Sequence, residues 1–275
     1  MQKILILDDD TANAESLRDM LQSMGHEALI GATEDALPLA RKQPFDVLLL
    51  GGEAGDELQN LIRKIRGRVD HYIYVLVMSE TIVYEQALQA GANNILQKPV
   101  NAEALEQSIA VAKLLGDLIK RIGDDREDFP SAGGVIAKSA FNQLFLSAAD
   151  RANRYGEQTY ILFIGVENYR EILEMDGPYA ADYAVAMLSR HLVQMRRQSD
   201  IIGQTAKFEY ALLLQRPIYE MEPIEATNRF VSTLASCTDI VSSGSHNVEI
   251  SVSLVAVPSG RNLARQTFSP DFPKQ

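Results

Sequence analysis

Ile4-Leu-Ile-Leu-Asp-Asp-Asp10 places four apolar residues directly before three carboxylates. A continuous apolar run of this length is typical of a strand buried on both faces, as in a parallel sheet. The stretch from Asp10 to Met24 has helical spacing, with Leu17, Met20 and Leu21 on one face. Because function in such sheets lies at the carboxyl ends of the strands, the three carboxylates mark a candidate site.

Short apolar runs alternate with helical patterns through the rest of the first hundred residues. Strands that alternate with helices are typical of βαβ units, so the sequence predicts a doubly wound, parallel α/β sheet. The further predicted strands are Ala28–Ile30, Val47–Leu50, Ile73–Met78 and Asn94–Leu96, and a helix carrying Leu58, Leu61, Ile62 and Ile65 follows the third strand.

A long helix is predicted after the fifth strand, from a cap at Asn101 to about Ile122. Val111, Leu115 and Leu118 lead to Ile122 at 4-3-4 spacing, which is the seam pattern of a coiled coil about two heptads long. Two interpretations stay open. The helix either packs on its own domain or joins two chains into a homodimer.

A charged segment that ends at Pro130 separates this helix from a second predicted domain. We predict a first domain over residues 1–122, a linker over 123–130, a second α/β domain over 131–258 and a tail over 259–275, which has no strong period. The predicted elements of the second domain are helices at Phe141–Tyr155 and Ala180–Arg197 and strands at Tyr160–Val166, Phe208–Leu214 and Val248–Val257.

Composition narrows the class of protein. The formal net charge of −11 disfavours a nucleic-acid surface, which needs clustered Lys and Arg. No apolar run approaches the roughly 18 residues of a membrane helix, and Lys3–Leu7 predicts a strand rather than a leader, so we expect a cytoplasmic protein without membrane insertion. Cys237 is the single cysteine and the four histidines are scattered, so the spacing predicts an inert thiol and no metal-ligand set.

The residues that follow the predicted strands resemble the receiver domains of two-component systems over about residues 1–122. Asp8 and Asp9 match the acidic pair after strand one. Ser79 matches the hydroxyl after strand four, and Lys98 matches the lysine of the Lys-Pro after strand five. The resemblance implies a flavodoxin-like fold in which the acidic pair holds Mg²⁺, a cation that prefers carboxylate oxygens, beside a phosphate-accepting aspartate.

The strand-three motif departs from the receiver pattern. Gly51 stands at the phospho-acceptor position and has no carboxylate, so we expect a receiver that is not phosphorylated there. Glu53 and Asp56 are the nearby carboxylates that could substitute. Asp8 and Asp9 remain weak metal candidates that could equally cap the next helix, and we expect no bound metal.

The second domain resembles the GGDEF family over about residues 130–258. The strand Tyr160–Val166 matches the family's first strand, and Ala206-Lys-Phe-Glu-Tyr210 stands where the Gly-Gly-Asp-Glu-Phe hairpin would be. The resemblance implies an α/β nucleotidyl-cyclase-like fold, joined to the receiver by the long helix. Active members of the family condense two GTP into cyclic di-GMP.

The catalytic groups of that family are largely missing, so the resemblance predicts a degenerate domain without enzyme activity. Cyclase chemistry needs two carboxylates that hold Mg²⁺ against a triphosphate, and a glycine turn that lets the backbone approach the nucleotide. Asp182 and Glu209 survive from the active-site set. The other positions are replaced. Gly165 stands where the family has the strand aspartate, and Phe208 where it has the hairpin aspartate. Ala206 and Lys207 replace the two glycines, and Leu173 replaces the guanine-binding asparagine.

One nucleotide motif of the family is retained. Five residues separate the Asp200 of Arg197-Gln-Ser-Asp200 from Ala206, where the family has an Arg-x-x-Asp site that binds cyclic di-GMP, and Arg229 falls near the family's second arginine. An arginine fork matches guanine or phosphate, and aspartate accepts from guanine N–H groups. The other interpretation is a solvated arginine and a turn aspartate, since Arg121-Ile-Gly-Asp124 has the same spacing.

These features predict a non-catalytic signalling protein that binds cyclic di-GMP at Arg197, Asp200 and Arg229 and requires no cofactor. The expected partners are cyclic di-GMP, a signalling protein and a second copy of the chain. The alternative is a nucleotide-independent interaction module in which both domains have lost their chemistry.

Overall fold

The computed structural model describes residues 1–52, 55–124, 128–155, 157–197 and 199–270. The chain forms two compact units. The first unit comprises Met1–Arg121 with two short segments, Ala148–Glu157 and Val257–Gly260. The second unit comprises Ile122–Ser147, Gln158–Ala256 and the residues from Arg261 onward.

The first unit contains a five-stranded parallel sheet in the order β2-β1-β3-β4-β5. Its strands are β1 (Lys3–Leu7), β2 (Glu27–Gly31), β3 (Val47–Gly51), β4 (Tyr74–Ser79) and β5 (Asn94–Gln97). The helices are α1 (Thr11–Ser23), α2 (Ala36–Lys42), α3 (Asp56–Arg68), α4 (Tyr84–Gln89) and α5 (Ala102–Ile122). This strand order is the flavodoxin-like arrangement, which confirms the predicted fold class.

Burial explains why the strands of this sheet have continuous apolar runs. Ile4–Leu7 of β1 and all of β4 are buried, because the helices cover both faces of a parallel sheet. Side chains cap the first turns of two helices of this unit. Asp10 accepts from the backbone N–H groups of Ala12 and Asn13 at the start of α1, and Asn101 accepts from Ala104 N at the start of α5.

The apolar seam of α5 is buried within a single chain. Leu115, Leu118 and Ile122 are at most 9% exposed. This burial favours the interpretation in which the helix packs within its own chain. The homodimer itself stays a prediction without support from this helix.

The second sheet has the order β10-β9-β6-β8-β7. Its strands are β6 (Thr159–Val166), β7 (Ile201–Ala206), β8 (Glu209–Gln215), β9 (Ile250–Val257) and β10 (Asn262–Phe268), and the helices after α5 are α6 (Lys138–Tyr155), α7 (Tyr169–Met175), α8 (Pro178–Met195) and α9 (Glu222–Ala235). β6 is buried along its whole length and pairs antiparallel with β8, which in turn pairs with β7. This is the α/β architecture predicted for the second domain.

Of the tail predicted over 259–275, the described residues 259–270 are not structureless. Asn262–Phe268 forms β10, which pairs antiparallel with β9 at the edge of the sheet. An edge strand contributes few side chains to the core, so its sequence lacks a strong apolar period. Within the described ranges, each helix is too short or too polar to cross a lipid bilayer.

Candidate functional sites

The carboxyl end of the first sheet carries a compact ionic cluster, the Asp8 cluster, formed by Asp8, Asn13 and Lys98. The Lys98 Nζ atom lies 2.8 Å from Asp8 Oδ2, and the Asp8 side chain is only 4% exposed. Asn13 donates to the same oxygen over 2.7 Å, while Asp10 N donates to Asp8 Oδ1 over 3.1 Å. Both oxygens of this carboxylate are therefore already engaged within the fold.

Gly51 ends β3 directly against this cluster. A Cβ atom added at Gly51 would lie 2.6 Å from Asp8 Cγ, so the Asp8 carboxyl group occupies the space that a side chain at this position would need. The Lys98 N–H donates to the Ser79 carbonyl over 3.0 Å. The fold thus brings Asp8, Lys98, Ser79 and Gly51 to one edge of the sheet, as the sequence predicts.

The remaining candidates of this edge are more peripheral. Asp9 is exposed and accepts from the Thr33 hydroxyl over 3.4 Å. Asp56 lies in the first turn of α3, where a carboxylate stabilises the positive end of the helix dipole. Glu53 lies outside the described residues. The Ser79 hydroxyl is fully buried and accepts from the N–H groups of Thr81 and Ile82, so it caps the turn after β4.

The turn between β7 and β8 carries a second ionic group, the hairpin cluster, formed by Tyr169, Asp182, Lys207 and Phe208. Lys207 Nζ lies 3.1 Å from Asp182 Oδ1, and the Tyr169 hydroxyl donates to that oxygen over 2.9 Å. The Phe208 ring stacks on Tyr169 with centroids 5.3 Å apart. Hydrogen bonding to Tyr169 and then to Asp182 raises the pKa of Lys207, which keeps this lysine charged.

Backbone fills the space where β6 approaches this hairpin. The Phe208 carbonyl accepts from Val166 N over 2.9 Å, and a Cβ atom added at Gly165 would lie 2.9 Å from that carbonyl oxygen. Glu209 accepts from the Thr205 hydroxyl over 2.6 Å. The two surviving carboxylates, Asp182 and Glu209, are thus bonded to neighbouring side chains.

Arg197 and Asp200 lie in the connection between α8 and β7, where their backbones are tied together. The Asp200 carboxylate accepts from Arg197 N over 2.9 Å, and Asp200 N donates to the Arg197 carbonyl over 3.0 Å. The neighbouring Arg196 side chain donates to the Asp200 carbonyl over 2.9 Å. Asp200 is 9% exposed, so its carboxylate is largely shielded from solvent where it meets the Arg197 backbone.

A cavity of about 280 Å³, the Arg197 cavity, opens beside this turn. Arg197, Asp200 and Arg229 all line it, although Arg229 comes from α9, so the fold brings the three residues of the predicted dinucleotide site together. The other lining residues come from the connection between α8 and β7, the end of β8, the loop after β8, and α9: Ser199, Leu214, Gln215, Arg216, Pro217, Ile218, Glu222, Pro223 and Ala226.

Glu222 occupies the arginine fork at the edge of this cavity. One carboxylate oxygen lies 2.7 Å from Arg197 Nη1, and the other accepts from Ile218 N over 2.6 Å. The Ile218 N–H and then Arg197 lower the pKa of Glu222, so its carboxylate is ionised at neutral pH. The Arg197 side chain remains 54% exposed and within reach of solvent.

Two residues of this cavity have no signal in the sequence analysis. Arg216 directly follows β8 in a left-handed conformation, with φ of 51°, and adds a third guanidinium group to the lining. Glu222 begins α9, where a carboxylate favours the helix dipole. The position of Arg216, a basic residue directly after a core strand, is the one sequence feature that indicates its role. The role of Glu222 depends on its contact with Arg197, which is 25 residues away in sequence.

The spacing of the cysteine and histidines predicts no set of metal ligands, but the fold brings one histidine, the cysteine and an aspartate together. His191, Cys237 and Asp239 place their nitrogen, sulphur and oxygen atoms within 4.8 Å of one another. No histidine is near Cys237 in sequence, yet His191 Nδ1 lies 3.4 Å from its Sγ atom.

The flavodoxin-like first unit has the fold of a receiver domain, and a second α/β domain follows it. The family model "Response regulator receiver domain" matches residues 4–110. The model "Diguanylate cyclase, GGDEF domain" matches residues 131–268, half of the chain. The chain therefore belongs to the GGDEF domain family and carries a receiver domain before that domain.

Two curated relatives are similar to parts of the chain. An uncharacterised 76.5 kDa protein of Thiocystis violacea is 27% identical over 241 residues, which cover 82% of this chain and 34% of that protein. The response regulator protein FleR of Pseudomonas aeruginosa is 34% identical over 116 residues, which cover 39% of this chain and 24% of FleR. The chain thus spans about a third and a quarter of the length of these relatives.

Solved structures are similar to each half separately. A two-component response regulator from Clostridium difficile is 24% identical, with 41% of this chain and 96% of that chain covered and a TM-score of 0.38. The GGDEF domain of TpbB (YfiN) from Pseudomonas aeruginosa is 19% identical, with 44% of this chain and 70% of that chain covered and a TM-score of 0.36.

Proposed function

We propose that this receiver–GGDEF protein is a non-catalytic, cytoplasmic signalling protein that binds cyclic di-GMP in the Arg197 cavity. The observation that carries the proposal is that Arg197, Asp200 and Arg229, from two separate elements, line one cavity. Residues that merely end a helix would have no reason to converge with an arginine from α9. The tight backbone pairing of Arg197 with Asp200 adds a preorganised turn, which lowers the entropic cost of binding.

The charges around the cavity suit a dinucleotide with two phosphates. Three arginines line it, Arg197, Arg216 and Arg229, against the two carboxylates of Asp200 and Glu222. Guanidinium groups bind phosphate or the guanine O6 and N7 atoms through paired hydrogen bonds, and a carboxylate accepts from guanine N–H groups. The cavity therefore contains groups that can bind the phosphates and groups that can bind the guanine bases.

The proposed absence of cyclase activity rests on the hairpin cluster. Mg²⁺ bound against a triphosphate needs free carboxylate oxygens, and Asp182 is paired with Lys207 while Glu209 is bonded to Thr205. Gly165 and Phe208 supply no side-chain oxygen, and the Phe208 carbonyl fills the approach to Gly165. Loss of one preorganised charged group costs a factor of about 10² to 10³ in rate, and here several are replaced together.

The proposed insensitivity to phosphorylation rests on the Asp8 cluster. Gly51 offers no carboxylate to accept a phosphoryl group, and the Asp8 carboxyl group lies in the space beside it. The positive charge of Lys98 is already paired with the Asp8 carboxylate, so it is not held in reserve for a phosphoryl group. We therefore expect the receiver domain to act through its surface or its contacts with partner proteins.

Titration calorimetry of the full chain with cyclic di-GMP tests the binding proposal. We expect saturable heat in the wild type and its loss in Arg197→Ala. Arg190→Ala is the matched control, because Arg190 is an exposed arginine on the same helix α8 and is not part of the cavity lining. Absence of heat in the wild type, or equal binding by wild type and Arg197→Ala, would contradict the proposal.

Two incubations test the lost chemistry. Wild-type protein incubated with GTP and Mg²⁺ should yield no cyclic di-GMP by chromatography, and acetyl phosphate should leave the intact mass of the protein unchanged. Product that disappears in Glu209→Gln would show that the hairpin retains catalysis. A mass increase of one phosphoryl group that maps to the loop after β3 would show an alternative acceptor there.

A nucleotide-independent interaction module is the second candidate, favoured by an exposed apolar segment in the loop before α9. Ile218, Tyr219 and Met221 are 89%, 51% and 50% exposed. Clustered exposed apolar side chains are typical of protein contacts. A solution mass of two chains that is the same with and without cyclic di-GMP, together with no calorimetric heat, would favour this function and the predicted homodimer over the first proposal.

A further inference from the structure

Three side chains with metal-ligand chemistry meet where α8 passes the end of α9. His191 lies in the C-terminal part of α8, whereas Cys237 and Asp239 follow α9. The backbone on both sides is held by core residues, since Leu192, Leu234 and Ile240 are fully buried. The three side chains are thus presented by a rigid part of the second unit.

The contacts of His191 connect the other two residues. The ring's Nδ1 atom lies 3.4 Å from Cys237 Sγ, and its Nε2 atom lies 2.7 Å from Asp239 Oδ1. The His191 side chain is 18% exposed and that of Asp239 is 52% exposed, so an ion can enter from solvent.

The distance between the sulphur and nitrogen atoms matches a tetrahedral transition-metal site. Zinc bonds of about 2.3 Å to sulphur and about 2.0 Å to nitrogen separate those two ligand atoms by roughly 3.5 Å, and the observed sulphur–nitrogen distance is 3.4 Å. The ligand atoms of the three residues lie within 4.8 Å of one another. The Asp239 side chain, 52% exposed, would have to turn from His191 Nε2 towards the ion to supply the third ligand, and water would complete the tetrahedron.

We propose that His191, Cys237 and Asp239 bind one zinc-class divalent ion. A thiolate and an imidazole select Zn²⁺ and related transition metals, while Mg²⁺ and Ca²⁺ prefer sites made entirely of oxygen. The site is independent of the Arg197 cavity, because none of its three residues lines that cavity.

Without a metal, the Cys237 thiol donates to the Thr233 carbonyl over 3.2 Å. On metal binding the sulphur–hydrogen bond breaks, the proton goes to solvent, and the sulphur–metal bond forms. The dication then stabilises a thiolate and a carboxylate that disfavour each other in its absence.

Cobalt titration of the tag-free full chain tests the site, because a Co²⁺–thiolate bond absorbs in the near ultraviolet. We expect one Co²⁺ per chain with this absorption, and its displacement by Zn²⁺. Cys237→Ser should abolish the absorption, and Asp239→Asn should weaken Co²⁺ binding at least about tenfold. Asp239 is exposed, so its variant tests the site without disturbing the core.

His246→Gln is the matched control. His246 also pairs with a carboxylate, Asp176, over 3.0 Å, but the metal-ligand group around Cys237 does not include it. This variant should bind Co²⁺ as the wild type does. Absence of thiolate absorption in the wild type at excess Co²⁺, or absorption and affinity unchanged in both Cys237→Ser and Asp239→Asn, would overturn the proposal.

Discussion

The Asp8 cluster and the Arg197 cavity both contain an ion pair, but the two pairs differ in exposure. The side chains of Lys98 and Asp8 are 20% and 4% exposed, whereas those of Arg197 and Glu222 are 54% and 15% exposed. In the first pair the partners fill the available space, since even a Cβ atom at Gly51 would collide with Asp8. In the second pair a cavity remains beside the arginine.

This difference separates charges that stabilise a fold from charges that remain available to a ligand. A buried pair is strongly destabilised when one partner is removed, because the other charge stays desolvated. An exposed pair contributes little to stability and can be exchanged for another partner at small cost. The Asp8 cluster therefore resembles a structural element, and the Arg197 cavity resembles a binding site.

The largest expected effect is a loss of stability when the ion pair of the Asp8 cluster is broken. Lys98→Met should lower the free energy of unfolding by about 3 kcal/mol, because it leaves the buried Asp8 carboxylate without its cation. Lys120→Met is the control, since the Lys120 side chain is 71% exposed in its pair with Asp46 and should cost less than about 1 kcal/mol. Chemical denaturation measures both. Equal losses would show that the Asp8 cluster is no more structural than a surface pair.

A second, smaller loss of stability is expected where the hairpin closes on β6. Gly165→Asp should cost about 2 kcal/mol, because its Cβ atom would meet the Phe208 carbonyl and its carboxylate would enter a buried strand. Gly67→Ala, on α3 with nothing near an added Cβ atom, should be neutral or stabilise by up to about 1 kcal/mol. A stable Gly165→Asp protein that gains Mg²⁺ binding would show that the hairpin can still open.

The smallest expected effect sharpens the description of the Arg197 cavity. Glu222→Gln should tighten cyclic di-GMP binding about fivefold, about 1 kcal/mol, because it removes the charge that competes for Arg197. Glutamine can still accept from Ile218 N, so the loop keeps its hydrogen bond. Asp182→Asn, in the hairpin cluster, should leave the affinity unchanged. Weaker binding by Glu222→Gln in calorimetry would show that Glu222 assists the ligand instead.

Much of the fold could be predicted because the core strands have simple patterns. β1, β3 and β4 are apolar runs covered on both faces, and the acidic residues after β1 indicate a sheet edge with polar chemistry. The edge strand β10 could not be predicted, since most of its side chains face solvent and its sequence resembles a tail. The seam of α5 leaves two interpretations open, because the same apolar spacing serves burial within a chain and pairing between chains.

The candidate sites were only partly visible in the sequence. Arg197 and Asp200 are close in sequence, and Arg229 was placed by its position on the next helix. Arg216 and Glu222 complete the lining through the path of the loop between β8 and α9, which local spacing does not encode. His191 and Cys237 are 46 residues apart and meet because α8 and α9 pack on one core.

Native mass spectrometry of the full chain, incubated with isotopically labelled GTP, Mg²⁺ and unlabelled cyclic di-GMP, tests the central claim most directly. We expect an adduct of unlabelled cyclic di-GMP on the wild type, no such adduct on Arg197→Ala, and no labelled dinucleotide in the mixture. Labelled cyclic di-GMP, or a GTP–magnesium adduct without any cyclic di-GMP adduct, would contradict this claim.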